Sequence, residues 1–137
     1  MDLYKAIDLY APFNAQEEAD RQVIMYALEH DPACFVRTAP AHMTCSIWTI
    51  DPAARQTLLV YHNIYNSWSW IGGHADGERD LAAVALRELQ EETGVAGARL
   101  IECGPGAIFS LEVLPVAGHE KRGRYVSSHA HLNVTYL

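Results

Sequence analysis

The chain has 137 residues, half of them apolar and a fifth charged, a balance that suits one soluble domain with a single buried core. Its net charge of −7 argues against broad binding to nucleic acid, which needs a basic surface, and no apolar run approaches the length of a membrane span. Three scattered cysteines, Cys34, Cys45 and Cys103, lack C-x-x-C spacing, so they are expected to be reduced, buried thiols in a cytoplasmic protein.

The opening run "MDLYKAIDLY" carries two Asp and one Lys and has no signal-peptide core. Asn14, with Glu17 three residues on, has the form of a capping box opening a helix over about 15–30. Val23, Ile24, Ala27 and Leu28 would make its apolar stripe, and "HDP" its stop. Residues 1–40 therefore read as an N-terminal helical extension packed on a main domain over 41–137. From there "MTCSIWTI" and "TLLVYHN" flank "DPAAR" as a hairpin would, and "SWSWI" reads as a short aromatic strand ending at Gly72-Gly73. A helix over about 79–92 follows, then strands near 98–103 and 107–116. A polar, basic loop, "AGHEKRGRYVSSH", leads into "HLNVTYL", where Leu132, Val134 and Tyr136 alternate with His131, Asn133 and Thr135. Strands on both sides of a central helix, with another helix before them, predict an α/β or α+β domain.

The central helix poses a problem of charge. In "RELQEETG", residues 87–94, Glu88, Glu91 and Glu92 crowd the last turn before Gly94, which should end the helix. The dipole disfavours each carboxylate there by roughly 0.3–1 kcal/mol. Six of the seventeen acids (Asp76, Glu78, Asp80, Glu88, Glu91, Glu92) fall within residues 76–92, a local concentration that suggests cation binding. With Glu88 at zero on a helical wheel, Glu91 falls at about −60° and Glu92 at about +40°. Leu81, Val84 and Ala85 lie in the same sector, while Asp80, Ala83, Arg87 and Gln90 take the opposite side. The carboxylates thus continue the apolar stripe, at the edge of a core where unpaired charges are costly. Such a trio calls for a cation, and hard oxygen donors favour Mg²⁺ or Mn²⁺ over Zn²⁺. Arg87 is expected to pair with Glu91 at i, i+4. The bland alternative is a frayed, solvated helix end.

The stretch "GGHADGERDLAAVALRELQEETGV", residues 72–95, resembles the Nudix box of the Nudix hydrolases. Gly73, Arg87, Glu88, Leu89, Glu91, Glu92, Gly94 and Val95 fit its pattern in register. One position departs, since Arg79 stands where the family has its first Glu and the acid comes one residue earlier, at Glu78. The flanking "SWSWIGGHADG" and "KRGRYVSSHAHLNVTYL" look like a bacterial Nudix subgroup of unassigned substrate.

The resemblance implies an α/β/α sandwich around a mixed sheet. It also implies Mg²⁺- or Mn²⁺-dependent hydrolysis of a pyrophosphate bond in a nucleoside diphosphate linked to another group. Carried over to this chain, Glu88, Glu91, Glu92 and the Gly73 carbonyl would hold metal, and Arg87 would orient the carboxylates. The general base would be Glu92, or an acid in a later loop, for which Glu120 is the candidate. Whether Glu78 replaces the displaced box Glu stays open. Lys121, Arg122 and Arg124 are candidates for substrate phosphates, as is His74 in the box loop. Trp70, Trp68 or Tyr61 could stack on a base. His129 and His131, two apart on one strand face, permit zinc ligation, but the sequence offers no second ligand pair. Two other readings are a Nudix-fold nucleotide-binding module without turnover and, more distantly, a diphosphate isomerase of the same fold. A Nudix domain generally continues further, so the domain is expected to be incomplete at its C-terminus. An open sheet edge would then favour a homodimer.

Overall fold

The computed structural model describes every residue from Met1 to Leu137. In chain order the elements are α1 (Leu3–Leu9), α2 (Ala15–His30), β1 (Ala41–Ile47), β2 (Thr49–Ile50), β3 (Thr57–Leu58), β4 (Val60–His62), β5 (Ser67–Ser69), β6 (Ile71–His74), α3 (Leu81–Thr93), a 3-10 turn (Pro105–Ala107), β7 (Ile108–Val116), β8 (His119–Lys121), β9 (Arg124–Val126) and β10 (His129–Tyr136). They form the expected α+β fold, built on a mixed four-stranded sheet in the order β6-β1-β10-β7. β1 runs parallel to β10, and both outer strands are antiparallel to their neighbours. Two-stranded hairpins, β2–β3, β4–β5 and β8–β9, project from this sheet.

Strand alternation divides the sheet into two unlike faces. Met43, Cys45 and Ile47 of β1 and Leu132, Val134 and Tyr136 of β10 enter the apolar core. Leu81, Val84, Ala85 and Leu89 of α3 meet them there, together with Ala6, Ile7 and Ile24 from the N-terminal helices. The other face carries polar side chains that are buried as well, and these satisfy one another. Thr44 and Ser46 hydroxyls donate to Asn133 Oδ1 at 2.9 and 3.2 Å, and the Asn133 amide and Thr135 hydroxyl donate to Glu112 at 2.9 Å each. Buried polar groups persist when paired in this way.

α2 opens on Asn14, whose side chain accepts the Glu17 N–H at 2.9 Å. Glu17 does not return the bond to Asn14. Its carboxylate is buried, and accepts the Phe13 N–H, the Tyr10 hydroxyl at 2.9 Å and the Leu111 N–H at 3.0 Å. One turn on, Asp20 accepts the Val113 N–H at 3.1 Å. The two carboxylates thus take N–H groups from the outer edge of β7, an edge that would otherwise be free to pair with another chain. The inward stripe of α2 runs through Glu17, Asp20, Ile24, Ala27 and Leu28, which turns Val23 outward, 49% exposed. β10, the last strand, lies inside the sheet and not at its border.

Three other expectations need correction. α1 precedes the helix read from the sequence, capped by Asp2, which accepts the Lys5 N–H at 2.8 Å. Residues 98–103 form no strand, because a local bond from Cys103 N–H to the Ile101 carbonyl, 2.8 Å, bends the chain there. Only the Ile101 N–H reaches the end of β10, at the Leu137 carbonyl, 2.7 Å. In this irregular segment Cys103 is exposed, whereas Cys34 and Cys45 are buried, and all three are free thiols.

Candidate functional site

α3 is set locally by strong signals at both ends. Asp80 accepts the Ala83 N–H at 3.0 Å, and Gly94 closes the helix at φ 75, a left-handed value that favours glycine. Glu78 serves the approach to this helix, its carboxylate accepting the Arg79 and Asp80 N–H groups at 2.8 and 3.1 Å. Arg79, in the register position of the missing acid, lies over the Phe35 ring at 4.6 Å, away from the carboxylates.

At the other end of α3, Glu88 rests against β6, with Glu91 and Glu92 in the turn that follows. A Cβ at Gly73 would lie 2.6 Å from Glu88 Cδ and 2.8 Å from its Oε1, so any other residue there would displace the Glu88 side chain. The Glu88 carboxylate therefore rests against bare backbone. Burial pushes it above its ordinary pKa, and repulsion from Glu91 adds to the shift. Glu92 is raised for the same reason, first by burial and then by Glu88 and Glu91. The wheel is borne out for the apolar half of the stripe, with Leu81, Val84 and Ala85 buried. Glu88 is half-buried, while Glu91 and Glu92 emerge into solvent.

The expected Arg87–Glu91 pair does not form. Glu N-terminal to its cation is the better order at i, i+4, and exposed pairs gain little over their side-chain entropy. Arg87 instead exerts its field on Glu88. A residue that sequence reading missed is Arg37, which makes a two-pronged bridge to Asp76 at 2.8 and 2.5 Å. This bridge ties the loop after β6 to the segment before β1, and both its charges act on Glu88.

This donor set suits a hard divalent cation. Glu88, Glu91 and Glu92 repel one another at a helix end whose dipole disfavours them, with the Glu88 side chain resting beside Gly73. The linkage between pH and stability has a definite sign. A carboxyl whose folded pKa is raised stabilises the fold below its unfolded value, near 4.5 for these groups. That contribution is lost as pH rises through the folded values. Mg²⁺ needs the ionised forms, so it is expected to raise Tm more near pH 8 than near pH 5. Equal shifts in thermal melts at the two values would count against the ligand assignment.

The remaining candidates are dispersed. Lys121 and Arg124 pair across the β8–β9 hairpin, with Arg122 and Gly123 forming its tight turn at φ 51 and 76, and Glu120 beside them. All three basic residues are exposed. Trp70 stacks on Trp48, with ring centroids 6.0 Å apart, and donates its indole N–H to Ser46 at 3.0 Å. Trp68 meets Tyr61 edge-on in the β4–β5 hairpin and is 67% exposed, so neither joins the core. A cleft of about 440 Å³ opens between α1 and the first turn of α3, but it is mostly apolar and lies at the far end of α3 from the glutamates.

His74 departs furthest from expectation. Gly73 faces α3, so the next side chain along β6 must face away. The His74 ring lies on the polar side of the sheet, 5.3 Å from His42 and 5.0 Å from His131, centroid to centroid. Burial holds His74 and His131 down at about 4 and also lowers His42. His129 and His131 therefore do find partners, supplied by β1 and β6.

No helix is long and apolar enough to cross a membrane. No curated protein shows a significant match to the chain. The sequence model of the NUDIX domain matches residues 40–128, which takes in β1 to β9 together with α3 and its glutamates. With that span covered, and with α3 carrying the box on the core side of a mixed sheet, the chain belongs to the Nudix family.

Proposed function

We propose that this protein is a cytoplasmic, Mg²⁺- or Mn²⁺-dependent pyrophosphohydrolase acting on a nucleoside diphosphate linked to a second moiety. The observation that carries this reading is the Glu88 carboxylate seated against bare backbone at Gly73, with Glu91 and Glu92 beside it. Glu88, Glu91, Glu92 and the Gly73 carbonyl would hold the cation. When bound, a divalent ion neutralises the diphosphate and lowers the pKa of an attacking water. Glu92 is the proposed general base, its raised pKa bringing it closer to the working range of such a group. Arg87 steers Glu88 through its field, and Arg37 with Asp76 sets the loop beside it.

The β8–β9 hairpin offers Lys121, Arg122 and Arg124 to the phosphates, whereas Trp70, hydrogen-bonded to Ser46 on the polar face of the sheet, is left out of the stacking role. His74 is left out of the phosphate role because it faces the other side of the sheet. A binding module without turnover is the second reading, favoured by the displaced box acid, since Glu78 is engaged with backbone N–H groups at the helix start.

The deciding experiment is a hydrolysis panel with Mg²⁺ over nucleotide sugars, dinucleoside polyphosphates, NADH and oxidised nucleotides. Turnover of at least one class, abolished by chelator, is expected. Micromolar nucleotide binding with no turnover of any would establish the second reading instead.

A further inference from the structure

The polar face of the sheet gathers four histidines from three strands. His42 lies on β1, His74 ends β6, and His129 and His131 begin β10. One ring nitrogen from each of His42, His74 and His131 falls within 4.8 Å of the others. Parallel pairing of β1 with β10 places His42 opposite His131, and the antiparallel register of β6 puts His74 beside Thr44 on the same face. The chain segments that bring these rings together are distant in sequence, so the cluster is a product of the fold.

The hydrogen bonds fix which nitrogens are available. His42 Nδ1 donates to the Ala39 carbonyl at 2.9 Å, which leaves its lone pair on Nε2. That Nε2 is buried and has no partner, in a side chain only 2% exposed. An unpaired buried acceptor of this kind is costly unless something fills its lone pair. His129 repeats the pattern, with Nδ1 donating to the Ser127 carbonyl at 2.8 Å and Nε2 turned inward. A backbone carbonyl orienting a ring so that its other nitrogen is free is the usual outer support of a metal-binding histidine. The His129 and His131 Nε2 atoms lie 3.2 Å apart. Two nitrogens bound at about 2.0–2.1 Å to a tetrahedral ion would be separated by roughly 3.3–3.4 Å.

We propose that His42, His74 and His131 form a binding site for a divalent transition-metal ion of the zinc class, with His129 flanking it beside His131. Its donors are neutral imidazoles, which suit Zn²⁺, Co²⁺ or Cu²⁺ and offer Mg²⁺ little. Among side-chain cations, Arg37 and Lys121 act on His74, and Arg37 is itself paired with Asp76. The site shares no residue with the carboxylates on the other face, so it does not rest on the proposed hydrolysis.

The test is optical titration of the full-length, tag-free protein with Co²⁺, followed by competition with Zn²⁺. One equivalent of Co²⁺ is expected to give the visible bands of a four-coordinate, nitrogen-rich ion. Zn²⁺ should displace it, and excess Mg²⁺ should not. His131→Gln and His42→Gln should each weaken Zn²⁺ binding by more than the roughly 10–100-fold lost with an outer partner. Glu92→Gln should leave the cobalt spectrum unchanged, which separates this site from the box. His42 is fully buried, so His131→Gln carries the test should His42→Gln fail to fold. Absence of four-coordinate cobalt at stoichiometric concentration, or unaltered Zn²⁺ affinity in a folded His131→Gln protein, would overturn the proposal and leave a neutral hydrogen-bonded histidine cluster.

Discussion

Replacing Glu92 by glutamine is expected to lower kcat by about 10²–10⁴-fold, the usual worth of a positioned general base. The change keeps shape and removes both charge and basicity. Glu92 is exposed at the end of α3 and makes no hydrogen bond within the protein, so the fold should survive. The metal-free variant should even melt slightly higher. Partial desolvation of this otherwise exposed carboxylate and repulsion from Glu88 and Glu91 disfavour its ionised form, and the neutral amide relieves both. Glu88→Gln should behave differently, because the half-buried Glu88 lies against Gly73 and is placed to hold the ion. Its main signature should be a higher Mg²⁺ concentration for half-maximal rate. Full turnover in Glu92→Gln, measured at saturating Mg²⁺, would transfer the base role to another acid. Glu120→Gln is then the decisive variant.

The largest effect on stability is expected at Glu17. Its buried carboxylate accepts from Tyr10, Phe13 and Leu111, joining α2, the loop before it and the edge of β7. Glu17→Ala would strand two backbone N–H groups, of which that of Leu111 is the more confined, while the Tyr10 hydroxyl keeps the Phe109 carbonyl at 3.0 Å. At about 1–3 kcal/mol per unsatisfied buried group, partly relieved by water, the total should reach about 3–5 kcal/mol. For a domain of this size that lowers Tm by roughly 10–15 °C. Urea denaturation gives the direct measure, with a reduced midpoint and an unchanged slope. Glu17→Gln should cost less, since the amide retains one acceptor. A loss below about 1 kcal/mol in the alanine variant would mean that β7 does not depend on α2 for its edge.

What could be read from the sequence was what the chain specifies locally. The Asn14 and Asp80 caps, the Gly94 stop and the alternation of Leu132, Val134 and Tyr136 each lie within a few residues of what they control. The box glutamates were legible for the same reason, as one turn of one helix. The failures share a different cause. Glu17 looked like half of a capping box because its true partner, Leu111, is remote in sequence. Residues 98–103 were apolar enough for a strand, but a turn at Glu102 takes the backbone bonds that a ladder would need. His129 and His131 lacked a second pair only until β1 and β6 were placed beside them. Arg37 carried no local signal at all, and its importance comes from meeting Asp76 across two loops.

Gly73 and His74 are neighbours on one strand, yet they look out on opposite sides of the sheet. β6 is thus a partition one chain thick between a carboxylate basin and an imidazole basin. A ligand that tilts or shifts this strand while filling one basin necessarily alters the shape of the other. Thermodynamic reciprocity then sets a strict condition, for whatever factor a zinc-class ion applies to affinity at the glutamates, the glutamates' ion must apply to zinc. A metal held on the far face would in that way act as an effector of the near one without touching it.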